Sequence, residues 1–442
     1  MTVEKFKVIV GLGKTGYSCA KFFMRRGIPF SIADDNLNPG YLDRLREDIP
    51  NIEVRPINDD TFSNVDQIVL SPGVPLSNRA IQLAIEAGSS VTGDIAIFAA
   101  ETKLPYAAIT GTNGKSTVTQ LLSEMALASG RRVGVGGNIG TPCLELLEDN
   151  VDLNILEVSS YQLEVVESLG ANVAVLLNLT PDHLDRYQSN EDYYQTKLKI
   201  FDGCSVAVVP RDLNLNFDPT LEVISFGLDE PKTDKEFGIK VLGDSTYLAI
   251  GSRPLLPVRE LTMKGRHNWL NALAGLAAGH ALSLSEENMF DVLRSFTGLP
   301  HRCQWVGEYH QIQFINDSKA TNPSSTIAAI EGLSSEGNAM VLILGGVSKG
   351  ADLSELQSAI TKNVSTCLIF GQDRELIKSM LKGGLTKIAL FENLEMLVSY
   401  LKNTAHQGDL VLFSPACASF DQFDNFEHRG EVFTQLIKGC FT

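Results

Sequence analysis

A strand-like run, Ala107-Ala-Ile-Thr110, feeds into Gly111-Thr112-Asn113-Gly114-Lys115-Ser116-Thr117, and a helical stretch that Gly130 can cap follows. Glycines in such a turn leave backbone N–H groups exposed at a helix N-terminus, which suits a triphosphate. Lys115 adds a compact positive charge, and Ser116 offers a hydroxyl to magnesium. The spacing departs from the usual phosphate loop, because Ile109 stands where its first glycine would be. The cluster reads as a nucleoside-triphosphate site.

A second glycine turn, Gly11-Leu12-Gly13-Lys14-Thr15-Gly16, follows the N-terminal strand and opens a helix. It allows a diphosphate to approach the backbone, and Asp34 and Asp35 follow the next strand, where an acid often meets a ribose hydroxyl. Taken alone it fits a nicotinamide dinucleotide site or a merely structural turn. An oxidoreductase needs no triphosphate loop, and a simple ATPase needs no second nucleotide pocket. A ligase acting on a nucleotide-linked substrate needs both.

Four further residues bear on metal chemistry. Glu157 ends the buried run Leu153–Val158, so its carboxylate projects from the carboxyl edge of a sheet, as a magnesium ligand or as a salt-bridged cap. His183, in Thr180-Pro-Asp-His-Leu-Asp185, lies beyond the strand-like Ala171–Leu177 at the same edge, and can equally be a hydrogen-bonded loop residue. Lys197 and Lys199 fall on a helix over Tyr193–Phe201, about 200° apart around its axis, so only one of them can face the site. A plain lysine would repel a metal.

The elements that must position these groups are legible as alternating apolar runs and amphipathic stretches, the pattern of strand–helix–strand units around parallel sheets. Phe6–Val10, Phe30–Ala33 and Gln67–Leu70 read as strands, with a helix near Tyr17–Arg26 and another over Asn78–Ala87. Ala107–Thr110, Ile155–Val158 and Ala171–Leu177 form a second group, and Val341–Leu344, Cys367–Phe370 and Leu410–Phe413 a third. The 442 residues suffice for about three domains. Junctions near Gly93 and at Thr297-Gly-Leu-Pro300 divide the chain into 1–93, 94–298 and 299–442. The expected fold is three α/β domains: a Rossmann-like first, a central ATPase-type domain on a parallel sheet, and a Rossmann-like third.

A net charge of -16 argues against nucleic acid or an anionic membrane surface as the main partner. The N-terminus carries no signal peptide pattern, and no apolar run approaches the ~18 residues of a membrane span. Seven cysteines without a CxxC pair or zinc spacing fit reduced thiols and a cytoplasmic setting.

Across essentially its whole length the chain resembles the Mur ligases, and among them the D-glutamate-adding branch. The likeness rests on Gly111–Thr117, Asp182-His-Leu-Asp-Arg186, Gly265-Arg-His-Asn-Trp-Leu-Asn271, His301-Arg302, Asn316-Asp-Ser-Lys-Ala-Thr-Asn322 and Ser414-Pro-Ala-Cys-Ala-Ser419. The first block is shared with folylpolyglutamate synthetases, whereas the last, continuing to Phe426, is particular to that branch.

The resemblance implies an ATP-dependent ligase that joins D-glutamate to UDP-N-acetylmuramoyl-L-alanine through an acyl phosphate. It implies Mg2+ held by Ser116, Glu157, His183 and a carbamylated Lys197, the carbamate being an anion that resolves the difficulty with lysine. Asn268, Asn271, Arg302 and Asp317 would approach ATP; from the residues alone, Asn268 is equally a helix cap and His301-Arg302 a solvated pair. Lys14, Thr15, Asp34, Asp35, Ser71, Pro72, Gly73 and Asn138 would meet the UDP-linked substrate, although Ser71-Pro-Gly73 is by itself only a turn. His183, Thr321, Lys349, Ser419 and Phe426 would meet D-glutamate. Phe420, Phe423 and Phe426, three apart, can instead be one apolar helix face. Val347 stands where family members often carry an acid. The expected protein is a monomer acting on small molecules. Rival readings are a nicotinamide-dependent oxidoreductase, a non-catalytic nucleotide sensor and the L-alanine-adding ligase.

Overall fold

The computed structural model describes residues 6–180, 186–263, 265–334, 339–381 and 387–442. These form three sheets whose central strands, among them Tyr106–Thr110, Leu153–Glu157 and Leu410–Phe413, are buried along their whole length. In the first, five parallel strands run in the order Val54–Arg55, Phe30–Ala33, Lys7–Val10, Gln67–Leu70, Ser90–Thr92. Two of the predicted strands have the expected bounds, and the first loses only Phe6. The helix after Lys7–Val10 runs Lys14–Arg26 and ends on Gly27, in the left-handed conformation, with Arg25 and Arg26 in its last turn.

The second sheet has nine strands. It is parallel from Val133–Gly137 through Leu153–Glu157, Tyr106–Thr110, Val173–Leu176, Val206–Pro210 and Glu222–Phe226 to Glu236–Leu242, then closes with the antiparallel Ser245–Ile250 and Arg253–Pro257. Tyr106–Thr110 is buried along its whole length, which explains why it reads as a continuous apolar run rather than an alternating one. The third sheet runs Gln304–Tyr309, Ile312–Asn316, Leu410–Phe413, Met340–Gly345, Val364–Phe370, Lys387–Phe391, parallel except for its first strand.

In the first two sheets the functional loops leave from switch points, where chain connections diverge to opposite sides. Lys7–Val10 has a neighbour from each direction, and so does Tyr106–Thr110. The crevice beyond the carboxyl end of such a strand is where open α/β sheets bind ligands. The chain divides into two compact units, Met1–Pro257 with Asn271–Val292, and Val258–Leu270 with Leu293–Thr442. The first two sheets fall into one unit because they share a core. Ile9, Phe22 and Phe23 from the first pack in one apolar cluster with Phe98, Leu144 and Leu156 from around the second. Among the described residues no helix is long and apolar enough to cross a membrane.

Candidate active site

The Gly111–Gly114 turn joins the strand Tyr106–Thr110 to the helix Lys115–Ala128. Gly114 sits at a φ of +83°, and a Cβ there would lie 2.7 Å from Asn271 Oδ1, so both backbone and space require glycine. Asn178 braces the turn from the neighbouring strand end, accepting from the Asn113 N–H at 2.9 Å and donating to the Asn113 carbonyl at 3.0 Å. The Lys115 ammonium donates to the Gly111 and Thr112 carbonyls, both at 2.9 Å. Ser116 is buried in the first helical turn.

Lys197 lies on the helix Asn190–Leu198, 1% exposed, and donates to the same Gly111 carbonyl at 3.0 Å. Lys199 begins the following turn and points elsewhere, to the Glu164 carbonyl at 3.0 Å. The helical angle between the two lysines decides this, as expected. Sharing one acceptor puts the Lys115 and Lys197 nitrogens within about 6 Å of each other, where two like charges cost ~3 kcal/mol at an effective dielectric of ~20. Tyr193 lies beneath, its ring 4.8 Å from the Lys197 nitrogen and its hydroxyl 3.1 Å from Thr112 Oγ1.

Glu157 ends Leu153–Glu157 and is 1% exposed. One carboxylate oxygen accepts from Asn138 Nδ2 at 2.7 Å, and the other is buried with no hydrogen-bond partner among the described residues. An orphaned carboxylate oxygen is costly to bury unless a cation is meant to meet it. Together with the Ser116 hydroxyl it fits magnesium, which takes one or two carboxylates and leaves other positions to phosphates and water. Among the described residues no cluster of three or more His, Cys, Asp or Glu side chains can hold a metal by itself. The expected ligand His183 lies outside the described residues, 181–185 being among those not described.

A cavity of about 350 Å³ opens at the carboxyl end of Lys7–Val10. Lys14, Thr15, Ser71, Pro72, Gly73 and Asn138 all line it, so the structure brings these six residues together. Gly16 is needed here for close packing, since a Cβ would lie 1.9 Å from the Gly11 carbonyl oxygen. Lys14 donates to the Gly140 carbonyl at 2.6 Å, and Ser71 Oγ to the Gly11 carbonyl at 2.7 Å. Asp34 and Asp35 are not among the lining residues. The Asp34 carboxylate instead accepts from the Leu12 and Asn36 N–H groups at 2.7 and 2.9 Å, shaping the glycine turn, and Asp35 is exposed.

Sequence reasoning did not find Gln162, which also lines the cavity. Its amide nitrogen donates to both oxygens of Asp94 at 3.1 and 3.2 Å, and burial raises the pKa of that carboxyl. Its local signal is the capping box Ser159-x-x-Gln162, which marks a helix start and not a cavity wall.

In the second compact unit, loops leaving three adjacent strands carry Asp317 and Thr321, Lys349, and Ser419. Asp317 follows Ile312–Asn316 and is 7% exposed; it accepts from the Cys303 N–H at 3.1 Å and from Ser414 Oγ at 2.7 Å. Burial outweighs these bonds and pushes its pKa up to about 6. His301 is buried, with Asn316 Nδ2 3.1 Å from its Nδ1, while Arg302 is exposed; they are not a solvated pair. Asn268 stands inside the first turn of Arg266–Ala281, buried, rather than at its cap, and Asn271 follows one turn later on the same side.

Thr321 and Lys349 are exposed, Ser419 is buried, and Phe426 is half-buried. The helix begins only at Phe426 and Phe420 is 65% exposed, so the three phenylalanines do not form one apolar helix face. Lys349 sits 4.7 Å from the centre of the Phe420 ring. Lys319, within the Asn316–Asn322 motif, lies 4.0 Å from the Phe426 ring centre.

Under these loops lies Arg429, 0% exposed. Its guanidinium donates to Ser318 Oγ and the Ser318 carbonyl at 2.9 and 2.8 Å, to the Cys417 carbonyl at 2.9 Å and to the Gly345 carbonyl at 3.4 Å. Burial lowers its pKa to about 10, which still leaves it charged at neutral pH. One side chain thus ties together the loops that carry Thr321, Lys349 and Ser419. Arg429→Met would strand three buried carbonyls, and at about 1–3 kcal/mol each the expected loss is ~3 kcal/mol or more. Denaturant unfolding measures this, and a loss below ~1 kcal/mol would contradict the bracing role.

The chain matches the family model for a Mur ligase MurD-like N-terminal domain over residues 5–93, a Mur ligase middle domain over 109–279, and a Mur ligase glutamate ligase domain over 301–417. It is 44% identical to the UDP-N-acetylmuramoylalanine–D-glutamate ligase of Pseudomonas savastanoi pv. phaseolicola, covering 98% of each chain. The protein of that name from Hahella chejuensis is 44% identical over 97% of each chain. Solved structures show the fold shared more widely. The UDP-N-acetylmuramate–alanine ligase MurC of Thermotoga maritima superposes with a TM-score of 0.57 at 18% identity, covering 98% of this chain and 99% of that one. The MurF ligase of Thermotoga maritima, solved with ADP, gives 0.57 at 18% identity, covering 99% of this chain and 96% of that one.

Proposed function

The chain belongs to the Mur ligase family, and from that premise we propose that it adds D-glutamate to UDP-N-acetylmuramoyl-L-alanine in peptidoglycan synthesis. ATP is its co-substrate. The observation that carries this reading is near-full-length identity of 42–44% to ligases of that name. A triphosphate loop and a separate nucleotide-sized cavity in one compact unit fit it. The same pair weighs against an oxidoreductase, which has no use for Gly111–Thr117.

The alanyl carboxylate attacks the γ-phosphorus, an O–P bond forms, and ADP leaves. The D-glutamate amine then attacks the acyl phosphate carbon; the tetrahedral adduct expels phosphate and the amine loses a proton. Lys115, together with the N–H groups of Gly111–Thr117, stabilises charge on the transferring phosphoryl group. Magnesium, held by Ser116, Glu157, His183 and a carbamate on Lys197, would neutralise phosphate oxygens.

The crowding of Lys115 against Lys197 supports the carbamate. Uptake of CO2 by the buried Lys197 amine, with release of a proton, would turn it into an anion beside Lys115. Asn268, Asn271, Arg302 and Asp317 approach ATP in this reading. Lys14, Thr15, Ser71, Pro72, Gly73 and Asn138 hold the UDP-linked substrate, with Asp34 shaping the loop and Asp35 at its edge. Thr321, Lys349, Ser419, Phe426 and His183 receive D-glutamate. The protein acts as a cytoplasmic monomer on small molecules.

Phosphate release from ATP, measured with UDP-N-acetylmuramoyl-L-alanine, magnesium and a panel of L- and D-amino acids, tests this. Release confined to D-glutamate, with a product of matching mass, is expected. Release with another amino acid would keep the ligase chemistry and overturn the acceptor. No release under any combination would overturn catalysis itself.

A further inference from the structure

Arg186 closes the Asp182–Arg186 motif, yet none of the chemistry above uses it. Its side chain and that of Glu164 are each only 11% exposed. Arg186 Nε and Nη2 donate to the two Glu164 oxygens at 2.9 and 2.7 Å, a bidentate pair. Nη1 donates to the Pro72 carbonyl at 2.7 Å and Nη2 to the Val74 carbonyl at 3.2 Å. The guanidinium carbon lies 4.1 Å from the centre of the Tyr161 ring.

Two walls meet at this one side chain. Pro72 and Val74 belong to the turn after Gln67–Leu70, and both line the 350 Å³ cavity. Tyr161 and Glu164 belong to the short helix Ser160–Leu163 and its cap, which follow Glu157 and carry Gln162 into the same cavity. The Glu164 carbonyl in turn takes the Lys199 ammonium, two residues from Lys197.

We propose that Arg186 is a positioning residue that fixes the Ser71–Val74 wall of the substrate cavity against the Ser160–Glu164 stretch that follows Glu157. It thereby sets affinity for the nucleotide-linked substrate, which makes the proposal rest on reading this cavity as that substrate's site. The pair is well suited to the task. Most of the guanidinium N–H groups are engaged in a plane set by the carboxylate fork and the stacked ring, so the Pro72 and Val74 carbonyls have one favourable position. Lysine has the charge but not the fork, and cannot hold both carbonyls and both carboxylate oxygens at once.

The test is steady-state kinetics of Arg186→Lys, Glu164→Gln and the double variant, alongside Lys14→Ala as a direct probe of the cavity. Arg186→Lys is expected to raise KM for UDP-N-acetylmuramoyl-L-alanine about tenfold, with KM for ATP changed less than about twofold. Glu164→Gln should do the same more weakly, and the double variant should be no worse than the worse single, because both act through one contact. Thermal melts establish that each variant is folded. If Arg186→Lys fails to fold, Glu164→Gln carries the test alone. If Lys14→Ala weakens substrate binding while the Arg186 and Glu164 variants leave its KM unchanged, the inference is wrong and the cavity assignment stands. If Lys14→Ala has no effect on substrate affinity either, the cavity assignment itself fails. Equal rises in KM for both substrates would reduce the pair to a general structural brace and overturn the proposal.

Discussion

Lys115→Ala is expected to lower D-glutamate-dependent phosphate release by about 10³-fold or more, the scale of losing a principal charge contact in a preorganised phosphoryl-transfer site. Lys115 is held in the first turn of the helix Lys115–Ala128 with its ammonium on the Gly111 and Thr112 carbonyls, inside the loop that would cradle the phosphates. Alanine is a good helix former, so the helix should survive the change. The cavity beyond Lys7–Val10 has none of its lining residues in this loop. Calorimetric affinity for UDP-N-acetylmuramoyl-L-alanine in the absence of ATP should therefore stay within about twofold of the original, because no contact to it is removed. Turnover retained within tenfold would remove Lys115 from the chemistry, and with it the reading of Gly111–Thr117.

Glu157→Gln carries the second large effect, with two opposed readouts. The change removes the negative charge of a carboxylate that is 1% exposed and has one oxygen without a hydrogen-bond partner among the described residues. If that oxygen meets magnesium, its loss forfeits several kcal/mol of charge stabilisation, so turnover falls about 10³-fold and more magnesium is needed for what remains. The folded protein without metal should melt no lower than the original, since a buried charge costs more than a buried amide. A purely structural glutamate predicts the reverse: lower melting and turnover kept in proportion to folded protein. Measuring melting temperature and the magnesium dependence of the rate on the same preparations separates the two.

Much of the scaffold was readable because its central strands are short apolar runs. Phe30–Ala33, Gln67–Leu70 and Leu410–Phe413 have the bounds that the pattern predicts. The helix carrying Lys197 is less regular: it runs Asn190–Leu198 and tightens to a 3-10 turn over Lys199–Phe201. Its period still told correctly that Lys197 and Lys199 face different ways. The Asp34 role was harder to read, because an acid after the second strand can meet a ribose or a backbone amide, and only the turn of the chain decides. Here the carboxylate takes the Leu12 and Asn36 N–H groups.

By itself the sequence determined where the phosphate-type turns lie and which residue types they present, since glycine spacing and a following helix are local properties of the chain. It also marked central strands such as Tyr106–Thr110 and Leu410–Phe413, because burial on both faces demands unbroken apolar runs, but not the less buried Val133–Gly137, Glu236–Leu242 and Gln304–Tyr309, which lack one. What only the tertiary structure decided are the contacts between residues far apart in the chain. Lys197 reaches Gly111 across 86 positions, Arg186 reaches Pro72 across 114, and Arg429 reaches Ser318 across 111. Such partners are backbone carbonyls, which every residue possesses, so no residue type marks them in advance. For Lys197 and Arg429 they are selected by strand order, since a parallel sheet brings the carboxyl ends of strands distant in sequence to one edge, whereas Arg186 meets Pro72 where loops of the first and second sheets, which share a core, come together.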